Sequence, residues 1–243
     1  MSSLELLTAK KHQSLRVKTG FSADFGDNVM AAVTFPEEFI ALNANFPIVF
    51  READDESEDD FLCLALMGVE TDENLFLDQD GASEPQFPLT MRIRPFIVGA
   101  DPEDEVTGSV LIDSQSNRLT NNESEGQALF QSNGEYTDFL KGRIRQLELC
   151  YQGRQKGRGF IQMLRDYDLL ESLQADLNFC DGTVKTLTGF YGINIERMNE
   201  LPAKALKRMN DKGYLMPCFL SIASLTRIGD LVDRKNARIR GQK

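Results

Sequence analysis

The side chains in this chain that could do chemistry are few, and their spacing says more than their number. There is one histidine, His12, and there are four cysteines, at 63, 150, 180 and 218. Zinc sites, Ser-His-Asp triads and two-histidine iron centres need more imidazoles, or paired thiols at CxxC spacing, than this supply offers. The sequence therefore predicts no metal, no cofactor and no catalytic residue, and it leans away from an enzyme. His12 precedes a strand in a polar stretch, which suits a hydrogen-bonded structural or surface histidine. Ser221 and Ser224 lie in an apolar run with no G-x-S-x-G elbow and read as packing serines. The four scattered cysteines read as buried free thiols in a reducing compartment.

Charged clusters are the next candidates. The stretch GRQKGRG (153–159) has the glycines and cations of a phosphate cradle. It lacks a Gly-Lys-Ser/Thr ending, however, and follows helical sequence rather than a strand. Each glycine costs a helix about 1 kcal/mol, so Gly153 and Gly157 need a packing reason: a surface kept small for another element to approach. Any face for an anion or an acidic partner should lie here, on Arg154, Lys156 and Arg158, with Arg143 and Arg145 one face away. Arg92 and Arg94, just before Pro95, form a weaker candidate pair. The acidic run DDESEDD (54–60) and the DQDG at 78–81 both lack the spaced carboxylates, central glycine and distal glutamate of a calcium loop. They read as a solvated hairpin tip and a turn.

Charge is unevenly distributed along the chain. Residues 51–135 carry 21 acidic against 4 basic side chains, and residues 136–243 carry 19 basic against 12 acidic. A nucleic-acid binder would not expose so acidic a segment to phosphate, so no nucleic-acid partner is expected. With 243 residues, 41% of them hydrophobic, the chain can bury an ordinary globular core. The apolar run at 218–225 is too short for a membrane span, and the amino terminus does not resemble a secretory signal. A cytoplasmic protein is the expectation.

The elements that must position these residues change type along the chain. Segments 14–17, 46–52, 61–69, 74–78, 91–99 and 109–113 are rich in aromatic and β-branched residues and predict strands. Pro36-Glu37-Glu38 predicts a short helix over 36–44. From Tyr136 the period becomes helical, with one stripe through Tyr136, Phe139, Leu140, Ile144, Leu147 and Tyr151 and another through Phe160, Ile161, Leu164 and Tyr167. Residues 173–179 alternate, and Asp181-Gly182 turns them into a hairpin. Pro202 opens a helix that stops at Gly213. A last helix from about Pro217 should bury Phe219, Ile222 and Leu225 and fray over RKNARIRGQK. Together these predict an α+β chain in a single compact domain spanning 1–243, strand-rich over 1–120 and helix-rich over 121–243.

In order and spacing, several segments resemble the SapC family of bacterial proteins, named for surface-layer protein transport. They are FPIVFRE (46–52), ALMGVETDENLFLDQDG (65–81), RIRPFIVG (92–99), VLID (110–113), GQALFQSNGEYTDFL (126–140), DYDLLES (166–172), LTGFYGINIERMNELPAKALKRMNDKGYL (187–215) and SLTRIGDLVDR (224–234). The resemblance carries no catalytic residues onto this chain. It implies an accessory or interaction protein tied to surface-protein transport or outer-membrane uptake, with TonB-dependent receptor or halogenase-like flavoprotein systems as expected partners. The alternative is a binding protein or enzyme with an arginine-lined anion pocket. A shallow apolar patch would favour the first reading and a deep arginine pocket the second. The oligomeric state is left open.

Overall fold

The computed structural model describes residues 3–53, 60–77, 86–98 and 110–241. The fold class is α+β, with sheets concentrated in the first half of the chain and helices in the second. Two compact units interleave along the sequence. One comprises Met1–Asn28 and Leu89–Gln152, the other Val29–Pro88 and Gly153–Lys243.

The first unit holds two small antiparallel sheets. In one, the strand Val110–Asp113 lies between the edge strands Leu4–Leu6 and Phe96–Val98. In the other, Arg16–Val17 lies between Leu119–Thr120 and Gln127–Ala128. Side chains alternate across a strand, so Ile112 and Phe96 point inward and are fully buried. The predicted strand at 91–99 is replaced by a short helix, Leu89–Arg92, followed by a strand only at Phe96–Val98. Pro95 has no N–H to give to a ladder, so pairing begins beyond it. The strand predicted at 14–17 is confined to Arg16–Val17. Thr137 opens the long helix Asp138–Asp166, its hydroxyl accepting from the Leu140 N–H at 3.3 Å. Leu140, Leu147 and Cys150 are the buried positions of this helix within the first unit. Tyr136 and Tyr151, predicted on the core stripe, are exposed: Tyr136 precedes the helix, and Cys150 takes the inward position at the turn of Tyr151.

The second unit is built on a five-stranded antiparallel sheet. Its order is Leu170–Asn178, Val184–Ile193, Ile48–Glu52, Phe61–Leu66 and Ala31–Val33. The Asp181-Gly182 hairpin forms as predicted, with Gly182 at φ 88 and Leu170 opposite Ile193. A bulge between Leu173 and Ala175 is absorbed by Gly189 at φ 79. Ala53 donates to the Asp60 carbonyl at 3.0 Å, so the strands flanking the acidic run pair as a hairpin. The tip of that run (54–59) and the DQDG turn lie outside the described residues. The core gathers on Phe160, whose ring centroid lies 6.1 Å from that of Phe39, 6.2 Å from Phe50 and 5.5 Å from Tyr214.

Two expectations for this unit are corrected, and a third is met in finer detail. Residues 74–77 form a turn, not a strand: Asn74 Oδ1 accepts from the Phe76 N–H at 2.9 Å, while Leu75 and Phe76 are buried. The short helix predicted over 36–44 forms, beginning as a 3₁₀ turn, Pro36–Glu38, and continuing as Phe39–Leu42. The last helix is two, Leu215–Ser224 and Arg227–Gly241, the second continuing as helix through Arg234 as far as Gly241. Arg234 stacks on Phe76 at 4.2 Å, Lys235 reaches Glu73 at 2.6 Å, and Arg238 donates to the Asn74 carbonyl at 2.7 Å.

The inward face of Leu215–Ser224 is Pro217, Cys218, Ser221 and Ser224. Phe219 is exposed, and Ile222 and Leu225 are only half-buried. Serine hydroxyls decide this orientation. Ser224 Oγ accepts from the Ile48 N–H at 2.8 Å and Ser221 Oγ donates to the Ile48 carbonyl at 3.0 Å, pairing main-chain groups that the sheet leaves open. By length and composition the helical stretch Leu215–Gly241 would suffice to cross a membrane, which the shorter apolar run at 218–225 did not suggest. Here it packs on the sheet through that polar-edged face.

Candidate functional site

The predicted cationic residues fall into several separate settings. In the first unit, Asp27 is fully buried and accepts from Arg118 Nη2 at 2.5 Å and from the Ser22 N–H at 2.9 Å. Arg94 Nη1 lies 3.9 Å from the same carboxylate and donates to the Gly26 carbonyl at 2.9 Å. Arg118 also donates to the Gly20 carbonyl and stacks on Phe21 and Phe25. Arg143 donates to the Arg92 carbonyl at 2.7 Å and covers the Phe139 ring. Burial lowers the pKa of Arg143, with Arg118 and Arg92 adding repulsion, and burial likewise lowers that of Arg94. Both guanidinium groups remain charged at any working pH.

Arg92, Arg94 and Arg143 therefore share a neighbourhood, as an arginine-lined site requires. Its organising residues, Arg118 and Asp27, were not singled out in the sequence. The signal was faint: Arg118 stands among turn-formers 91 residues from its carboxylate. In this cluster Arg94, Arg118 and Arg143 all donate to backbone carbonyls, which makes them staples of irregular chain. Arg145, two positions from Arg143, points to the other side of the helix and is exposed.

In the second unit, Arg154 and Arg158 stand one helical turn apart, while Lys156 points away and pairs with Glu37 at 3.4 Å. Gly153 and Gly157 are buried beside them, and a Cβ at Gly153 would lie 2.7 Å from the Phe35 ring. The glycines admit the Phe35–Pro36 segment of the chain. Nearby, Arg165 pairs with Asp60.

Other chemistry-bearing groups are also held in place. His12 is buried, its Nδ1 3.1 Å from the Thr8 nitrogen and carbonyl and its Nε2 3.6 Å from Glu5. Burial pushes the Cys63 thiol far up and the Cys218 thiol up to about 12, so neither supplies a thiolate. Cys180, expected to be buried, is exposed at the hairpin end, where its N–H donates to Asn236 Oδ1. Among the described residues no group of three or more His, Cys, Asp or Glu side chains is placed to hold a metal.

Among the described residues the surface carries exposed apolar patches and one cationic groove. On the outer face of the three-stranded sheet, Leu6 pairs with Leu111 and Leu111 with Ile97, forming a row across all three strands. Leu6 is 52% exposed, Ile97 41%, and Leu4 extends the patch. On the helix Leu215–Ser224, Met216 and Phe219 are exposed as well. An open groove of about 650 Å³ runs along the preceding helix, Ala203–Asp211, and is lined by Lys204, Lys207, Arg208 and Lys212.

The family model described as SapC matches residues 7–231 of the 243. The chain belongs to the SapC family. No curated protein matches this SapC chain, and no solved structure does. The match reaches into both units and contains the arginine staples, the lysine-lined groove and, of the sheet face, Leu111 and Ile97, while Leu4 and Leu6 lie just before it.

Proposed function

We propose that this SapC protein is a non-enzymatic accessory protein that acts from the cytoplasm by binding a protein component of a surface-protein transport or outer-membrane uptake system. The observation that carries this reading is the row Leu6–Leu111–Ile97. It is an apolar face on a sheet whose two outer strands are both edges. Large side chains gathered on a small exposed sheet mark a surface that a partner covers, and edge strands add main-chain groups for it to pair with. Groups with chemical potential are committed elsewhere: Arg94, Arg118 and Arg143 to carbonyls, the serines to Ile48, the buried thiols to the core. Unbridged cysteines fit a reducing compartment.

The test is affinity capture of the tagged protein from its own cell, run beside a Leu6→Lys/Ile97→Lys variant. The partner is then purified and titrated against both proteins. One component should bind the parent and lose at least about tenfold in affinity for the variant, as central apolar anchors do. A partner that binds both equally, or a parent that turns over substrate, refutes this reading.

A further inference from the structure

The second unit carries a different surface, independent of the sheet face. The helix Ala203–Asp211 buries Ala205 and Met209 against the unit. Its outward stripe, spaced i, i+3, i+4 and i+7, is Lys204, Lys207, Arg208 and Asp211. Lys207 is paired with Asp211 at 2.7 Å. Lys204, Arg208 and Lys212 have no ion partner among the described residues, although nearly every other lysine or arginine discussed above is paired or stacked.

A three-residue turn closes this helix. Gly213 adopts φ 74 and the Tyr214 N–H donates to the Met209 carbonyl at 2.9 Å. The chain then enters Leu215–Ser224, whose inward face is held by the serine bonds to Ile48. On the opposite stripe, again spaced i, i+3, i+4 and i+7, stand Met216, Leu220, Phe219 and Ala223. Met216 is 61% and Phe219 56% exposed. Only 28% of the most apolar window in Leu215–Gly241 is buried. Consecutive elements thus present three exposed cations without an ion partner among the described residues, Lys204, Arg208 and Lys212, and, four residues beyond Lys212, a stripe on which Met216 and Phe219 are exposed.

We infer that this helix pair docks on the surface of an anionic lipid bilayer. Lys204, Arg208 and Lys212 would meet headgroup phosphates and carboxylates while Met216 and Phe219 enter the acyl boundary. The two features are complementary to the two layers of such a surface: negative charge outside, hydrocarbon beneath. Lysine suits a headgroup layer, since its compact charge on a flexible stem needs no fixed partner geometry. The groove is open to solvent, without the enclosed pocket that a defined small ligand would need. The chain's net charge of −11 opposes approach to an anionic surface in any other orientation, so the cationic stripe also sets the pose.

The test is flotation of the full chain with vesicles of phosphatidylcholine alone and of phosphatidylcholine with phosphatidylserine. Variants are Lys204→Glu/Arg208→Glu/Lys212→Glu, Phe219→Ser, and Leu6→Lys/Ile97→Lys as a control. Far-UV circular dichroism and the melting point confirm that each is folded. The parent should float with the anionic vesicles only, and lose binding as salt rises. Each cation is worth about fivefold near an anionic leaflet, so the triple reversal should abolish flotation. Phe219→Ser should weaken it severalfold with the salt dependence retained, and the sheet-face variant should float like the parent. Equal flotation with neutral vesicles, no flotation at low salt, or flotation unchanged by the triple reversal overturns the inference. So does a stripe that captures only an acidic protein. Because the Leu6/Ile97 variant separates the two surfaces, failure here leaves the proposed protein partner standing, and failure there leaves this one.

Discussion

Replacing Gly153 and Gly157 by alanine, one at a time, should stabilise only the second variant although both residues lie one turn apart in the same helix. Alanine in place of glycine favours a helix by about 1 kcal/mol at either position. At Gly157 the new methyl would meet only Pro36 Cδ at 3.9 Å, an ordinary contact, so the gain is kept. At Gly153 it would stand 2.7 Å from Cδ2 and Cγ of Phe35 and 3.0 Å from its Cβ. Phe35 is buried and its backbone leads straight into Pro36, so the ring cannot withdraw without moving the 3₁₀ turn behind it. Overpacking of this kind costs about 1–3 kcal/mol, which leaves Gly153→Ala neutral to about 2 kcal/mol destabilised. The two variants should differ by about 1–3 kcal/mol, or roughly 2–12 °C in melting point for a chain of this size. Thermal and urea unfolding of both proteins measure the difference. A Gly153→Ala protein that melts at or above Gly157→Ala would show that close packing on Phe35 is not why glycine stands there, and a ligand cradle in GRQKGRG would return as the explanation.

Two further outcomes follow from buried groups. Asp27→Asn leaves Arg118 charged and buried beside a neutral side chain, and should cost about 3–5 kcal/mol in urea unfolding, part of it recovered by adding Arg118→Met. A loss below about 1 kcal/mol, the level of an exposed pair, would mean that the arginines there are not structural staples. A thiol reagent should modify a single cysteine of the native protein, Cys180, and four after denaturation. Rapid native labelling of Cys63, Cys150 or Cys218 would contradict their burial.

Local sequence determined the elements whose signals are local. Asp181-Gly182 makes a hairpin because glycine reaches φ 88 without strain, and Pro202 and Gly213 bracket a helix for similar reasons of backbone conformation. The change of period at 136 marks the long helix. The family resemblance was likewise legible, since it rests on order and spacing over most of the chain. Which side of an apolar helix faces inward was decided by tertiary structure. Phe219 looked like core, yet two serine hydroxyls facing Ile48 turn it to solvent, because an unmet main-chain pair costs more than an exposed ring. The basic residues were equally ambiguous in sequence. Lys156 has Glu37, Arg143 has a carbonyl, and Arg118 has Asp27, while Lys204, Arg208 and Lys212 have no described ion partner. Pairing depends on distances closed by folding across tens of residues, and no periodicity in the chain encodes them.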